Sequence, residues 1–218
     1  MASPRILLPL LFLIPGSSTA AQQSPPVKLS VQQDGREIGR EELTLTRARG
    51  RGLTGTTLTS NARYPTVSPA TRLSAVLERT PDFALAKFQL EVDSADGTTV
   101  ILAAGSGARL IVRTVAKGSE SGRELPGGPD VVLLDDGAYS LYSQVADLAT
   151  PSGRQLTAIY PRTGKRATFS ARRETGGEGG ASRTALSGDV AGTLVTDAEG
   201  RLQRLELPDR KITVLRME

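Results

Sequence analysis

The chain contains no cysteine, no histidine and no tryptophan, and aromatic residues make up only 4% of it. Each shortage removes a class of chemistry. Without His or Cys there can be no Ser-His-Asp or Cys-His nucleophile, and none of the imidazole or thiolate ligands of ordinary zinc, copper and iron sites. A Ser-Lys nucleophile needs S-x-x-K spacing, which occurs nowhere in the sequence. No disulfide can form, and no cysteine is there to carry an acyl anchor. The lack of Trp disfavours sugar binding on aromatic platforms. With so few aromatics, the one basic cluster, Arg47–Gly52, reads as an exposed turn rather than a base-stacking nucleic-acid site.

What is present begins with an export signal. Arg5 supplies a positive n-region, Ile6–Ile14 an apolar h-region, and Pro15-Gly16 its end. Small residues at Ser18–Ala21 offer cleavage after Ala20 or Ala21. The apolar run is too short to span a bilayer. The reading is therefore a signal peptide at 1–21, a disordered lead-in at 22–26 and a single domain at 27–218, exported to the periplasm or secreted, with no stable membrane anchor. The formal charge of +4 loses Arg5 with the signal, so the net field is small.

The domain alternates with period two, the mark of half-buried strands. Val27, Leu29 and Val31 open the pattern, and Asp34-Gly35 turns it into a second strand. Strand and turn signals recur every 8–12 residues or so, the all-β signature. Strands are predicted over 53–60, 72–77, 83–92, 98–103 and 108–115, then over 155–160 and 166–173, with three closing strands at 185–195, 201–207 and 211–216. Residues 120–130 read as a Gly/Pro-rich loop, and 176–180 as a flexible one. Asp135–Ala149 breaks the pattern. Leu141, Val145 and Leu148 recur on one helical face, Asp135 or Asp136 can cap the first turn, and Pro151 and Gly153 lie beyond the end.

Carboxylates are the remaining source of catalysis. Glu41 and Glu42 are neighbours on a predicted strand, so they point to opposite faces. Asp135-Asp136-Gly137 departs from the D-[ST]-G loop of aspartic proteases at its middle residue, and helix capping accounts for both acids. Asp93 and Asp96 flank a turn without calcium-loop spacing. The sequence thus predicts no enzyme, no cofactor and no metal site.

Four short motifs carry a family resemblance: DGREIG at Asp34–Gly39, VLLDDGAYSLYSQV at Val132–Val145, Tyr160-Pro161, and TDAEGRLQRLELP at Thr196–Pro208 with Val214–Arg216. Together they resemble uncharacterised bacterial periplasmic domain-of-unknown-function proteins with a LolA/LolB-like β half-barrel. The resemblance implies a mainly β fold, a curved antiparallel sheet forming a half-barrel or open barrel around one central helix at about 137–149. It maps no catalytic residues.

Such a sheet can leave an apolar cleft beside its helix. The expected function is non-enzymatic binding or carriage of a hydrophobic or lipid-like ligand between sheet and helix. Tyr139, Leu141, Tyr142 and Val145 are the candidate contacts, with helix-to-sheet packing the simpler account of the tyrosines. The alternative is a structural or protein-interaction module of the cell envelope with a filled core.

Overall fold

Asp34 and Gly35 both hold positive φ, 50° and 76°, which the tight hairpin turn between the first long strands requires. Lys117 and Gly118 repeat the device at 51° and 75°. In the computed structural model, which describes residues 22–23, 25–47, 55–174 and 180–218, such hairpins build almost the whole molecule. The predicted signal peptide, residues 48–52 of the basic turn and 176–179 of the Gly-rich segment lie outside the described residues.

The strands are β1 (Gln22–Gln23), β2 (Val27–Gln33), β3 (Arg36–Arg47), β4 (Thr56–Tyr64), β5 (Thr71–Arg79), β6 (Leu85–Ser94), β7 (Gly97–Ser106), β8 (Arg109–Ala116) and β9 (Ser119–Pro126). After them come β10 (Val131–Leu133), β11 (Arg154–Tyr160), β12 (Lys165–Glu174), β13 (Ser182–Gly188), β14 (Gly192–Thr196), β15 (Leu202–Leu207) and β16 (Ile212–Arg216). They form one sheet in the order β10 to β16, then β2 to β9. The first and last long strands, β2 and β16, pair antiparallel, with Arg216 opposite Leu29. The sheet is a nearly closed barrel whose single seam lies between β9 and β10.

The expected mainly β fold with one central helix is therefore present. Alternation puts Leu43, Leu45, Leu58, Leu77, Phe88 and Leu90 inside, all buried, while their chain neighbours face out. The helical segment crosses the interior. A 3₁₀ turn, Tyr139–Tyr142, runs into α1, Ser143–Leu148. The turn packs on β3, β4 and β15, and α1 on β12, β13 and β14. A barrel this wide needs such a plug, because strands alone leave its axis unfilled. Leu141, Tyr142, Val145 and Leu148 fill it, each at most 1% exposed.

Four details differ from the sequence reading. Residues 120–130, read as a loop, contribute most of β9, whose outward residues are nearly all polar because it is an edge. Residues 185–195, read as one strand, are parts of β13 and β14, split at Asp189–Ala191. β10 and β11 pair in parallel across the helix, the one departure from antiparallel order among the described strands. Within the predicted lead-in, Gln22–Gln23 pairs with Thr46 and Arg47.

Candidate functional site at the mouth of the barrel

The apolar run Val131–Leu134 is buried and delivers the chain to Asp135. Neither Asp135 nor Asp136 caps the helical segment, whose N-cap position is Ala138; the Asp135 Oδ1 instead accepts from the Gly137 N–H at 2.8 Å, ahead of the first turn. The same carboxylate takes a two-pronged bond from Arg162, with Nε and Nη2 each at 2.7 Å. Burial pushes the Asp135 carboxyl above its ordinary range, and the Arg162 guanidinium and Gly137 N–H oppose that push.

The first amides of the helical segment are satisfied from across the barrel. Glu41, on the inner face of β3, accepts from the Tyr139 N–H at 2.8 Å and the Ser140 N–H at 2.9 Å. Tyr64 Oη donates to the same carboxyl at 2.8 Å. A carboxyl facing the open amides of a helix start complements the positive end of the peptide dipoles. Ser140 Oγ, 2.6 Å from Ser60 Oγ, adds a second tie to the opposite wall. Glu42 is exposed, as the strand alternation requires. Burial raises the Glu41 carboxyl above the usual range, against the pull of its Ser140, Tyr139 and Tyr64 donors. Burial likewise raises the Tyr64, Tyr139 and Tyr142 phenols, so all three stay neutral at physiological pH.

Gly39 makes the arrangement sterically feasible. A Cβ there would stand 2.3 Å from Tyr64 Cδ1, so the tyrosine ring lies over the bare glycine backbone and reaches Glu41. This gives the DGREIG motif a packing reason for its final glycine.

Further along the helix, Gln144 donates through Nε2 to Leu133 O and Leu141 O, both at 2.8 Å. Its Oε1 accepts from Arg79 Nη2 at 2.6 Å, and Arg79 Nη2 also donates to Val131 O at 2.8 Å. The seam-side carbonyls of β10 thus bond to side chains in place of a neighbouring strand. Arg173 Nη2 donates to Ala146 O at 2.9 Å, and Arg47 pairs with Asp147 at 2.7 Å.

At the helix start these elements enclose a cavity of about 310 Å³, open to solvent at the barrel mouth. Ile38, Leu73, Ile212, Tyr64 and Tyr139 give it apolar walls, with Val67 on a loop above. Arg162, Arg210 and Asp136 stand at its polar side. Arg210 pairs with Asp136, donates to Tyr160 Oη at 2.7 Å and lies 5.3 Å from the centre of that ring. Tyr142 Oη lies 3.4 Å from Tyr160 Oη. The cavity can hold a compact apolar group with a polar end turned toward the two arginines and the aspartate.

Comparison with solved structures adds one finding. A crystal structure of a DUF1089 family protein from Pseudomonas aeruginosa matches with a TM-score of 0.50 and 13% identity, covering 93% of this chain and 98% of that one. The likeness shows the fold. It is a barrel-like β fold common to both chains. No protein-family model matches the sequence, and no curated protein matches it either.

The structure brings the four sequence-predicted contacts together on the helical segment but divides them by role. Tyr139 lines the mouth cavity, whereas Leu141, Tyr142 and Val145 are completely buried in the plug and lie outside that cavity's lining. Sequence reasoning missed Glu41, Tyr64, Arg79, Arg162 and Arg210. Glu41 alone carried a signal: it is an acid at an inward-facing position two residues before Leu43.

Proposed function

We propose that this is an exported, non-enzymatic binding protein, of the periplasmic half-barrel kind, that holds a hydrophobic or lipid-like ligand at the barrel mouth. The observation that carries the reading is the 310 Å³ cavity, with its apolar walls and with Arg162, Arg210 and Asp136 gathered by ion pairs at the Asp135-Asp136 turn. That division of polarity is what an amphiphile requires. Its volume suits a short apolar group rather than a whole acyl chain, so a longer ligand would trail into solvent. The two buried carboxylates beside it are occupied with holding the helix, Glu41 by three donors and Asp135 by Arg162 and Gly137.

Native mass spectrometry of protein purified from its host's envelope, with lipid extraction alongside, tests the reading. A co-purifying apolar species, released on denaturation, is the expected result. Val67→Trp, which fills the mouth from an exposed loop, should cut uptake of an apolar dye about tenfold while leaving the circular dichroism unchanged. A clean apo mass with no dye uptake overturns the proposal. The second reading, an interaction module, is favoured by a different observation: Leu102, Ile111 and Val115 are exposed on the outer face close to the edge strand β9.

A further inference from the structure

Outside the barrel, cross-strand register lines up three arginines. Arg40 on β3 lies directly opposite Arg63 on β4, and Arg63 directly opposite Arg72 on β5. All three are exposed on the outer face. Directly opposed residues hold their Cβ atoms about 4.5–5.5 Å apart, and like charges so placed destabilise a sheet. A fold selected for stability alone would interleave acids here, as it does elsewhere on this surface with Arg113–Glu120 and Arg109–Glu124. Arg40 reaches back to Glu37 at 2.8 Å, but neither Arg63 nor Arg72 makes an ion pair among the described residues. Arg63 has only arginines across both of its ladders.

The row ends in the opposite charge. Arg72 faces Asp93 on β6, and Glu91 stands two residues before Asp93 on the same outer face. A groove of about 720 Å³ runs over Arg40, Arg63, Arg72, Glu91 and Asp93, and Lys28, Glu42 and Glu218 also line it. A second hollow of about 210 Å³ meets it at Arg63, Arg72 and Asp93. Arg63 and Arg72 therefore border both hollows, and the strand carrying Glu91 and Asp93 lies one strand spacing, roughly 4.8 Å, from Arg72 and two from Arg63.

We propose that this outer groove binds a zwitterionic phosphate–amine group, the phosphate on the arginine row and the ammonium on Glu91 and Asp93. Arginine forks match phosphate oxygens in pairs. An ammonium joined to that phosphate by a two-carbon bridge spans about the distance to the next strand. The chemistry is shared by free phosphoethanolamine and by the head group of phosphatidylethanolamine. The site is separate from the mouth cavity and does not depend on its reading.

The probes are phosphoethanolamine and inorganic phosphate by titration calorimetry, and sedimentation with vesicles of phosphatidylethanolamine mixed into phosphatidylcholine, against phosphatidylcholine alone. Phosphoethanolamine should bind, tighter than inorganic phosphate, with affinity falling about tenfold or more in the Arg63→Gln/Arg72→Gln double variant. Binding to ethanolamine vesicles only, lost in the same variant, would support the proposal and identify a membrane head group as the source. Glu91→Gln/Asp93→Asn should erase the preference over inorganic phosphate. Since the arginines repel one another, the first variant should leave Tm unchanged or raise it.

No binding of phosphoethanolamine, inorganic phosphate or ethanolamine vesicles, or binding that the arginine variant does not weaken, overturns the site. Equal affinity for inorganic phosphate, unaffected by the carboxylate variant, overturns the zwitterion assignment. A steep fall in Tm for the arginine variant would make the row structural and overturn it as well.

Discussion

Glu41 is where one residue decides the most. Its carboxyl takes two helix-start amides and one phenol, three groups that would otherwise be buried without partners. The pH dependence follows from its raised pKa. The folded state holds the proton more tightly than the unfolded chain, whose glutamate titrates near 4.5. The stabilisation is thus complete below that value and is lost as pH rises through the folded pKa. Urea unfolding followed upward from about pH 4 should show wild type losing stability relative to Glu41→Gln. A gap moving in wild type's favour with rising pH would mean that the three donors outweigh burial. At this scale the sequence was partly legible. The Asp34-Gly35 turn was readable because positive φ demands those residue types, and the opposite facing of Glu41 and Glu42 because alternation demands it. What Glu41 meets inside was not, since its partners lie about a hundred residues away at Tyr139 and Ser140.

The helical segment shows why element boundaries read less well than element identities. Its apolar face at Leu141, Val145 and Leu148 identified it, and all three are buried as expected. Its start was placed too early, because Asp135 serves Gly137 and Arg162 rather than the first helical turn. The edge strand β9 escaped detection for a related reason: only Leu125 of its eight residues is buried, so no alternation appears. β10 is so short that it depends on side chains. Arg79 is buried, and loss of hydration lowers its pKa to about 10, so it remains charged at neutral pH while donating to Val131 O, Phe83 O and Gln144. Arg79→Met would strand those acceptors but also remove a buried charge, for a net cost of about 2–4 kcal/mol. Hydrogen exchange should quicken first at Val131–Leu133 and around Phe83, with β3 to β5 still protected. Unchanged exchange at β10 would mean that pairing with β11 alone holds the strand.

For the whole molecule, closure is covalent in one place and non-covalent in another. The chain ends meet in the β16–β2 ladder, where Met217 N also donates to Lys28 O at 2.8 Å. The seam instead is crossed by the chain itself at Gly127–Pro129, between two strands that share no ladder. A side-chain bond bridges it, Arg123 Nη2 donating to Pro161 O at 2.9 Å, while Arg154 and Asp130, 2.6 Å apart, tie β11 to the chain entering β10. It follows that the fold should survive exchange of one connection for the other. A circular permutant that joins Glu218 to Pro26 through a short Gly/Ser linker and opens between Gly128 and Pro129 loses the two-residue β1 but keeps every ladder from β2 to β16. It replaces the longest-range pairing, β16 with β2, by a local hairpin, which should speed folding. Its unfolding free energy should lie within about 2 kcal/mol of the parent, because loop-closure terms change only logarithmically with length. Stopped-flow refolding and urea titration measure both quantities. A permutant that stays unfolded would show that the Gly127–Pro129 crossing, rather than the side chains along the seam, is what keeps β9 and β10 together.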